Sequence, residues 1–533
     1  MEFCKFPISA VVLLKISSVL MFFSYASSET LAGCPLIAPL SSYSPSIPAS
    51  ASANWSLVTS EVSAELETRI ASVIVNNSIV PFYAVSVVHE DQTVFTSGSA
   101  TSPFMIGSIT KTFTAMGALM LRARGLLSLD DPVKKFLPDF SVINPFDQGP
   151  YDITLRDLMG QVSGLPLELC AVAVVNGLPD QLQCPVEEAE VLQFLAGMEL
   201  VRPPWSREPS YSNLGFGVLG HAWEKVTSPS KTWEQFVVEE ILAPLGMGSS
   251  GVASDNVTLV TNDSSGIFHT GWLGPSANMY STASDLAKYL IFLLKATPAL
   301  LPAATIREWT RSSTIFPDGT GGYALPWELL TINSTNREFL ITKDGEIGNF
   351  VSIVAIHPPT QLGVSVLLAL NENSSISPNQ VMEEVLDYLI PLVEEETTKI
   401  IDPFYTGHYV CIATPSIYSQ QLNVTVEIFG GFIDIVDSPS LGLMASINMS
   451  VLFEEQLRPP NETVGILLKN STENSFWLGD IGIGCSASFG IIGSNPSINY
   501  PNFPGTDYGY EIEFNFANKS VLWPALGAVC VKT

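Results

Sequence analysis

The sequence predicts an α/β fold: one antiparallel sheet flanked by helices, with a helical domain inserted between its strands, followed by a separate all-β domain. Three observations carry this expectation. A helix-period segment and a hairpin come first, and three β-rich runs with a closing helix come last. Between them lies a long, broken helical stretch. Beyond residue 398 the pattern changes to short alternating strands separated by Gly, Pro and Asn. The chain divides into 1–28, a signal peptide; 29–57, an extended Ser/Pro/Ala-rich segment; 58–397, the α/β domain; and 398–533, the β domain.

Each element has its own signal. Val58, Val62, Leu66, Ile70 and Val73 recur at helical spacing and predict an amphipathic helix. Residues 82–88 and 93–96 read as strands turned at Glu90-Asp91. An apolar helix opens at Ser108 and ends near Gly125, which suits a C-cap. Residues 126–320 form the broken helical region. Within it, 281–294 is a clear helix with Thr282 or Ser284 as N-cap. Residues 338–343, 350–357 and 363–370 are the three β-rich runs, and 378–395 the closing helix. The stretch from Glu394 to Pro403 reads as a linker. After it, 423–429, 432–436 and 464–468 read as strands of a barrel or sandwich.

Composition narrows the function. A net charge of −28 argues against nucleic acid or an anionic membrane as partner. Lys5, an apolar run over 7–23 interrupted by Lys15, and Ala26-Ser27-Ser28 read as a secretory signal with its cleavage site. The last apolar run, 521–531, is too short to span a bilayer and contains Pro524, so no stable membrane span is expected after signal removal. Secretion is also favoured by glycosylation sequons at Asn54, Asn76, Asn256, Asn262, Asn333, Asn373, Asn423, Asn448, Asn461, Asn470 and Asn518. Cys4 leaves with the signal. Of the six cysteines left, Cys170 and Cys184 flank a short segment and are the expected disulfide; Cys34, Cys411, Cys485 and Cys530 stay unassigned.

Three motifs carry chemistry. Ser108-Ile109-Thr110-Lys111 is Ser-x-x-Lys at the start of an apolar helix, which sets Lys111 on the same face as Ser108. A serine hydroxyl needs a neighbouring base. Burial and a second cation would lower Lys111 from the ordinary value of about 10.4 toward that role. The same pattern at Ser228–Lys231 falls in a Ser/Pro stretch and reads as chance. Tyr211-Ser212-Asn213, on a Gly/Ser-flanked turn, can present a phenol and an amide to one cleft. Cations near Tyr211 would lower its pKa and let it relay a proton. Lys343-Asp344-Gly345-Glu346, at a strand end, supplies a cation, and a glycine that lets backbone approach closely. The histidines, His89, His221, His269, His357 and His408, show no metal-ligand spacing, and neither a metal nor a cofactor is expected.

In this order and spacing the motifs resemble those of the serine β-lactamase and penicillin-binding family, in its class C and D-alanyl-D-alanine carboxypeptidase branch: Ser-x-x-Lys, Tyr-x-Asn and Lys-Thr-Gly. Leu129-Asp130-Asp131-Pro132-Val133, the run Ile153 to Met159, Ser163-Gly164-Leu165-Pro166 and the run Met279 to Ala287 resemble the family too. The likeness covers about 58–395, and the whole chain resembles secreted fungal β-lactamase-like proteins. It implies an acyl-enzyme at Ser108, with Lys111 and Tyr211 taking the proton and the N–H groups of Ser108 and Glu346 as oxyanion hole. It further implies that Lys343 tunes Tyr211, that Gly345 allows close approach, and that Asn213 positions the acyl side chain of a small ester or amide substrate. Two positions depart from the pattern. Gln161-Val162 stands where His-Thr is common, and Asp344 where Thr or Ser would hold a β-lactam carboxylate. An esterase or acyltransferase of secondary metabolism in the same fold, or a non-catalytic binding module with a retained pocket, are the alternative readings.

Overall fold

The computed structural model describes residues 59–74, 80–146, 151–168, 187–206, 209–253, 257–261, 270–295, 300–316, 320–331, 339–371 and 376–405, and past residue 406 the backbone of nine strands. The signal segment, the 29–57 segment, Cys34, Cys170, Cys184 and Cys485 lie outside the described residues. So do all the sequon asparagines except Asn448, whose backbone falls in a strand.

Helix α1 (Ser60–Ile74) buries Val62, Leu66 and Ile70 as its spacing predicts, and Ile74, with Val73 of the expected stripe only partly buried. Strands β1 (Phe82–His89) and β2 (Gln92–Gly98) form the hairpin, with Glu90 at φ +55° in its turn. The short β3 (Phe104–Met105) leads into one 3-10 turn, Gly107–Ile109, and then α2 (Thr110–Ala123). Gly125, at φ +72°, ends α2: its N–H reaches Arg122 O and that of Leu126 reaches Leu121 O, a Schellman cap.

The insertion contains α3 (Leu155–Met159), capped by Thr154 and Asp157 in a reciprocal box, α4 (Glu188–Leu195), α5 (Asn213–Thr227) and α6 (Trp233–Phe236). It continues through β4 (Gly251–Val252), α7 (Gly274–Ala277), β5 (Met279–Ser281), α8 (Ala283–Lys295) and α9 (Ala303–Thr310). Thr282 is the residue that caps α8, accepting from Asp285 N at 3.1 Å. Strands β3, β5 and β4 make a small separate sheet.

The main sheet has eight strands, not the five expected: β6 (Thr314–Ile315), β7 (Gly321–Tyr323) and β8 (Glu328–Thr331) extend it. Strands β9 (Phe339–Ile347), β10 (Phe350–His357) and β11 (Leu362–Ala369) complete it in the order β2-β1-β11-β10-β9-β8-β7-β6. Strand β11 is buried along its whole length because both faces are covered, so it reads as a continuous apolar run. On one face α1 and α10 (Pro378–Tyr405) pack over Val85, Val87, Val364 and Val366; the other face joins the core of α2, α5 and α8. Each such fully buried aliphatic side chain contributes about 1.5–3 kcal/mol. The buried Ser86 and Ser365 hydroxyls, register partners across β1 and β11, satisfy each other at 2.6 Å.

One boundary changes. The stretch read as a linker, up to Pro403, is helical, and α10 runs through it to Tyr405. Strands β12 (Gly407–Ile412), β13 (Val426–Ser438), β14 (Gly442–Phe453), β15 (Gln456–Arg458), β16 (Thr463–Lys469), β17 (Ser475–Asp480), β18 (Glu511–Asn515), β19 (Ser520–Trp523) and β20 (Ala528–Lys532) follow. Their order β13-β12-β20-β19-β18-β17-β16-β14, with β13 also paired to β14, closes a barrel and leaves β15 on β14. Closure removes the open edges that an exposed sheet would present. Cys411 and Cys530 are register partners on β12 and β20. Among the described residues, no helix is long and apolar enough to cross a membrane.

Candidate active site

The nucleophile turn is shaped by glycine. Gly107 has φ +48°, and a Cβ there would sit 2.7 Å from Glu346 N, so the turn packs directly on β9. Ser108 in the 3-10 turn and Lys111 in the first turn of α2 are three residues apart, which sets both side chains on one face. Lys111 is fully buried, and its Nζ lies 2.9 Å from Ser108 Oγ, 2.5 Å from Asn213 Oδ1 and 2.9 Å from Ser276 O. Helix α2 is pinned to α7 and β5 by Thr114 Oγ1, which donates to Pro275 O, and by Thr110 Oγ1, which accepts from Met279 N. That anchoring delivers the Ser276 carbonyl to the lysine.

Lys111 is held well below the ordinary lysine value, first by burial and then by the nearby Lys343 ammonium. Hydrogen counting gives the consequence. A neutral amine has two protons and one lone pair. Asn213 Oδ1 and Ser276 O can only accept, so they take both protons. The lone pair is left for the Ser108 hydroxyl.

The second motif docks on the same oxygen: Tyr211 donates to Ser108 Oγ at 2.7 Å. Its ring centroid lies 4.9 Å from Lys111 Nζ and 5.2 Å from Lys343 Nζ. The expectation that cations lower this phenol is reversed. Burial raises Tyr211, and outweighs both Lys343 and the Ser108 hydrogen bond, which act to lower it. Tyr211 therefore keeps its proton at rest. The turn is fixed from below by Gln161, itself at φ +58°: its carbonyl accepts from Ser210 N at 2.7 Å and its Oε1 from Ser212 N at 2.8 Å. The departure at Gln161 thus has a structural role on either side of Tyr211. Ser212 caps α5, accepting from Gly215 N, which puts Asn213 in the first helical turn. Asn213 Nδ2 donates to Glu168 Oε1.

The third motif is on β9. Lys343 is fully buried and meets Glu328 Oε1 at 2.6 Å and Asp344 Oδ1 at 2.9 Å. Burial works against its charge, but Glu328, Tyr211 and Asp344 together raise Lys343 above the ordinary value. Burial likewise works against the Asp344 carboxylate, yet Lys343 holds it below the usual range. The Asp344 side chain remains 57% exposed. Gly345 is the contact point with the nucleophile turn, since a Cβ there would lie 2.1 Å from Ile106 O and 2.9 Å from Ser108 N. Ser352, its register partner on β10, donates to Ile106 O at 3.0 Å. The backbone amides of Ser108 and Glu346 therefore border one crossing.

Seven residues named from sequence, Ser108, Lys111, Tyr211, Asn213, Lys343, Gly345 and Glu346, converge here. The second Ser-x-x-Lys does not: Lys231 is held by Glu239 and Glu240. Sequence reasoning missed Glu328, Glu168, Gln161 as a scaffold, and the Ser276 carbonyl. The need for a carboxylate was legible, because a buried lysine must be paired; which Glu supplies it depends on the β8–β9 register. Among the described residues, no cluster of His, Cys, Asp or Glu could hold a metal.

A family model described as Beta-lactamase matches residues 71–386. Beta-lactamase-like protein 2 of Dictyostelium discoideum is 30% identical over 347 residues, 62% of this chain and 60% of that protein. Protein flp of Staphylococcus aureus strain MW2 is 26% identical over 338 residues, 61% of each. The chain thus spans about three fifths of the length of these curated relatives. Two solved structures share the fold: the octameric penicillin-binding protein homologue from Pyrococcus abyssi (TM-score 0.51, 20% identity, 88% of this chain and 99% of that one) and a beta-lactamase/D-alanine carboxypeptidase from Yersinia pestis complexed with citrate (TM-score 0.51, 21% identity, 62% and 100%).

Proposed function

The chain belongs to the beta-lactamase family, and from that premise we propose that it is a serine hydrolase that forms an acyl-enzyme at Ser108 on a small ester or amide substrate. The observation that carries this reading is the lysine geometry: a buried Lys111 with two obligate acceptors and its lone pair left for Ser108 Oγ at 2.9 Å. Ser108 Oγ bonds to the carbonyl carbon as its proton passes to Lys111. The amides of Ser108 and Glu346 receive the oxyanion. Tyr211, hydrogen-bonded to the same oxygen, passes its proton to the leaving group and recovers one from Lys111. Water then adds to the acyl carbon by the reverse path, and Ser108 is restored. Lys343 keeps a positive field at Tyr211, and Asn213 orients the acyl side chain. Secretion with N-linked sugars and a Cys170–Cys184 disulfide belong to the same proposal.

A serine-directed phosphonate probe tests it. Intact mass should show one adduct on the natural chain and none on Ser108→Ala, with at least about 100-fold slower labelling of Lys111→Ala. No adduct at Ser108 with any phosphonate, ester or thioester would overturn the reading in favour of a pocket that only binds.

A further inference from the structure

Glu168 lies on the Asn213 side of the nucleophile. Its Oε1 accepts from Asn213 Nδ2, and Asn213 Oδ1 in turn accepts from Lys111, so the carboxylate stands one amide away from the catalytic amine. Among the described residues it has no ion-pair partner, and its second oxygen has no donor. The segment that follows, residues 169–186, contains no Lys, Arg or His. Burial raises the Glu168 carboxyl, while the Asn213 hydrogen bond and Lys111 act to hold it down.

Among the described residues, three carboxylates (Glu328, Asp344 and Glu168) stand against two lysines, Lys343 and Lys111, around the nucleophile. Lys343 is the permanent cation, and it is already shared by Glu328 and Asp344. Lys111 is pushed toward the neutral amine by burial and by the Lys343 ammonium. Glu168, when ionised, adds a further negative charge at a partly buried position, where a counter-ion is worth more than in water. We propose that Glu168 is a specificity-determining residue that selects acyl groups bearing an ammonium. The inference rests on the acyl-enzyme reading and names its substrate class. The ammonium meets the Glu168 oxygen that no described residue bonds, while the acyl carbonyl sits between Ser108 and the Ser108/Glu346 amides. The net charge of −28 favours the approach of cations to the protein.

The test uses the full chain and paired p-nitrophenyl esters of equal length: 3-aminopropanoate against butanoate, and 4-aminobutanoate against pentanoate. The ammonium-to-neutral ratio of kcat/KM is compared between the natural chain and Glu168→Gln, which cancels the intrinsic reactivity of each ester. The ratio should fall about tenfold or more in Glu168→Gln and be largely retained in Glu168→Asp. Phosphonate labelling of Ser108 reports that each variant is folded. An unchanged ratio in a labelled Glu168→Gln overturns this inference and leaves the acyl-enzyme reading standing. No Ser108 acylation by any of the four esters overturns both.

Discussion

Lys111 and Lys343 are both fully buried, yet their surroundings shift them in opposite directions, Lys111 down and Lys343 up. Lys111 has carbonyl acceptors and a neighbouring ammonium; Lys343 has two carboxylates at hydrogen-bond distance. This fixes the pH dependence. Acylation needs neutral Lys111, so its rate should rise with pH and level off well below the ~10.4 of a free lysine. The raised values of Lys343 and Tyr211 keep ammonium and phenol intact across that plateau. Stopped-flow acylation by a neutral ester checks this; a rate still climbing through pH 10 would show that Lys111 is not the base. Asp344 makes a second residue-scale prediction. Ionised and held on Lys343, it opposes a substrate carboxylate, so neutral aryl esters should be turned over faster than a chromogenic cephalosporin, and Asp344→Thr should raise cephalosporin acylation about tenfold. A natural preference for the cephalosporin with no response to Asp344→Thr would refute the charge argument. The motif residues were legible because their types and order are local. Glu168 and Glu328 were not, because each acts across the fold on a residue more than a motif away.

The elements meet at glycines. Gly345 on β9 and Gly107 in the nucleophile turn lie so close that neither admits a side chain. Gly345→Ala must displace either Ile106 O or β9, since both are backbone. We expect Ser108 labelling to slow about 100-fold or more, with a loss of about 1–3 kcal/mol in urea unfolding. Gly248→Ala, with open space around its added methyl, should change stability by less than about 0.5 kcal/mol. Equal labelling rates in the two variants would mean that the β9 crossing does not shape the site. Periodicity made α1, the β1–β2 hairpin, β9, β10, β11 and α8 readable. Strands β6, β7 and β8 are two to four residues long, and Gly321-Gly322 opens one of them, so no alternation marks them. The acidic run Glu394-Glu395-Glu396 suggested a linker, but such residues are also good helix formers, and α10 continues through them.

At the scale of the molecule, every polar group of the site lies between Ser108 and Ser352, within the matched residues 71–386. Among the described side chains of α10, the last that joins the buried core is Val393. A fragment ending at Tyr405, after α10 rather than inside it, should keep Ser108 labelling within about threefold of the full chain. Loss of labelling in a fragment with native circular dichroism would show that the barrel completes the cleft. The main sheet has a further consequence. Strand β1 pairs with β11, Phe82 opposite Ala369, so the first hairpin finds its inner neighbour only at the far end of the domain. A ribosome adding about 5–20 residues per second leaves β1 with an unpaired apolar edge for roughly a quarter of a minute to a minute. The helical insertion is synthesised in that interval, and until β11 emerges the hairpin presents an open edge on which another strand can pair.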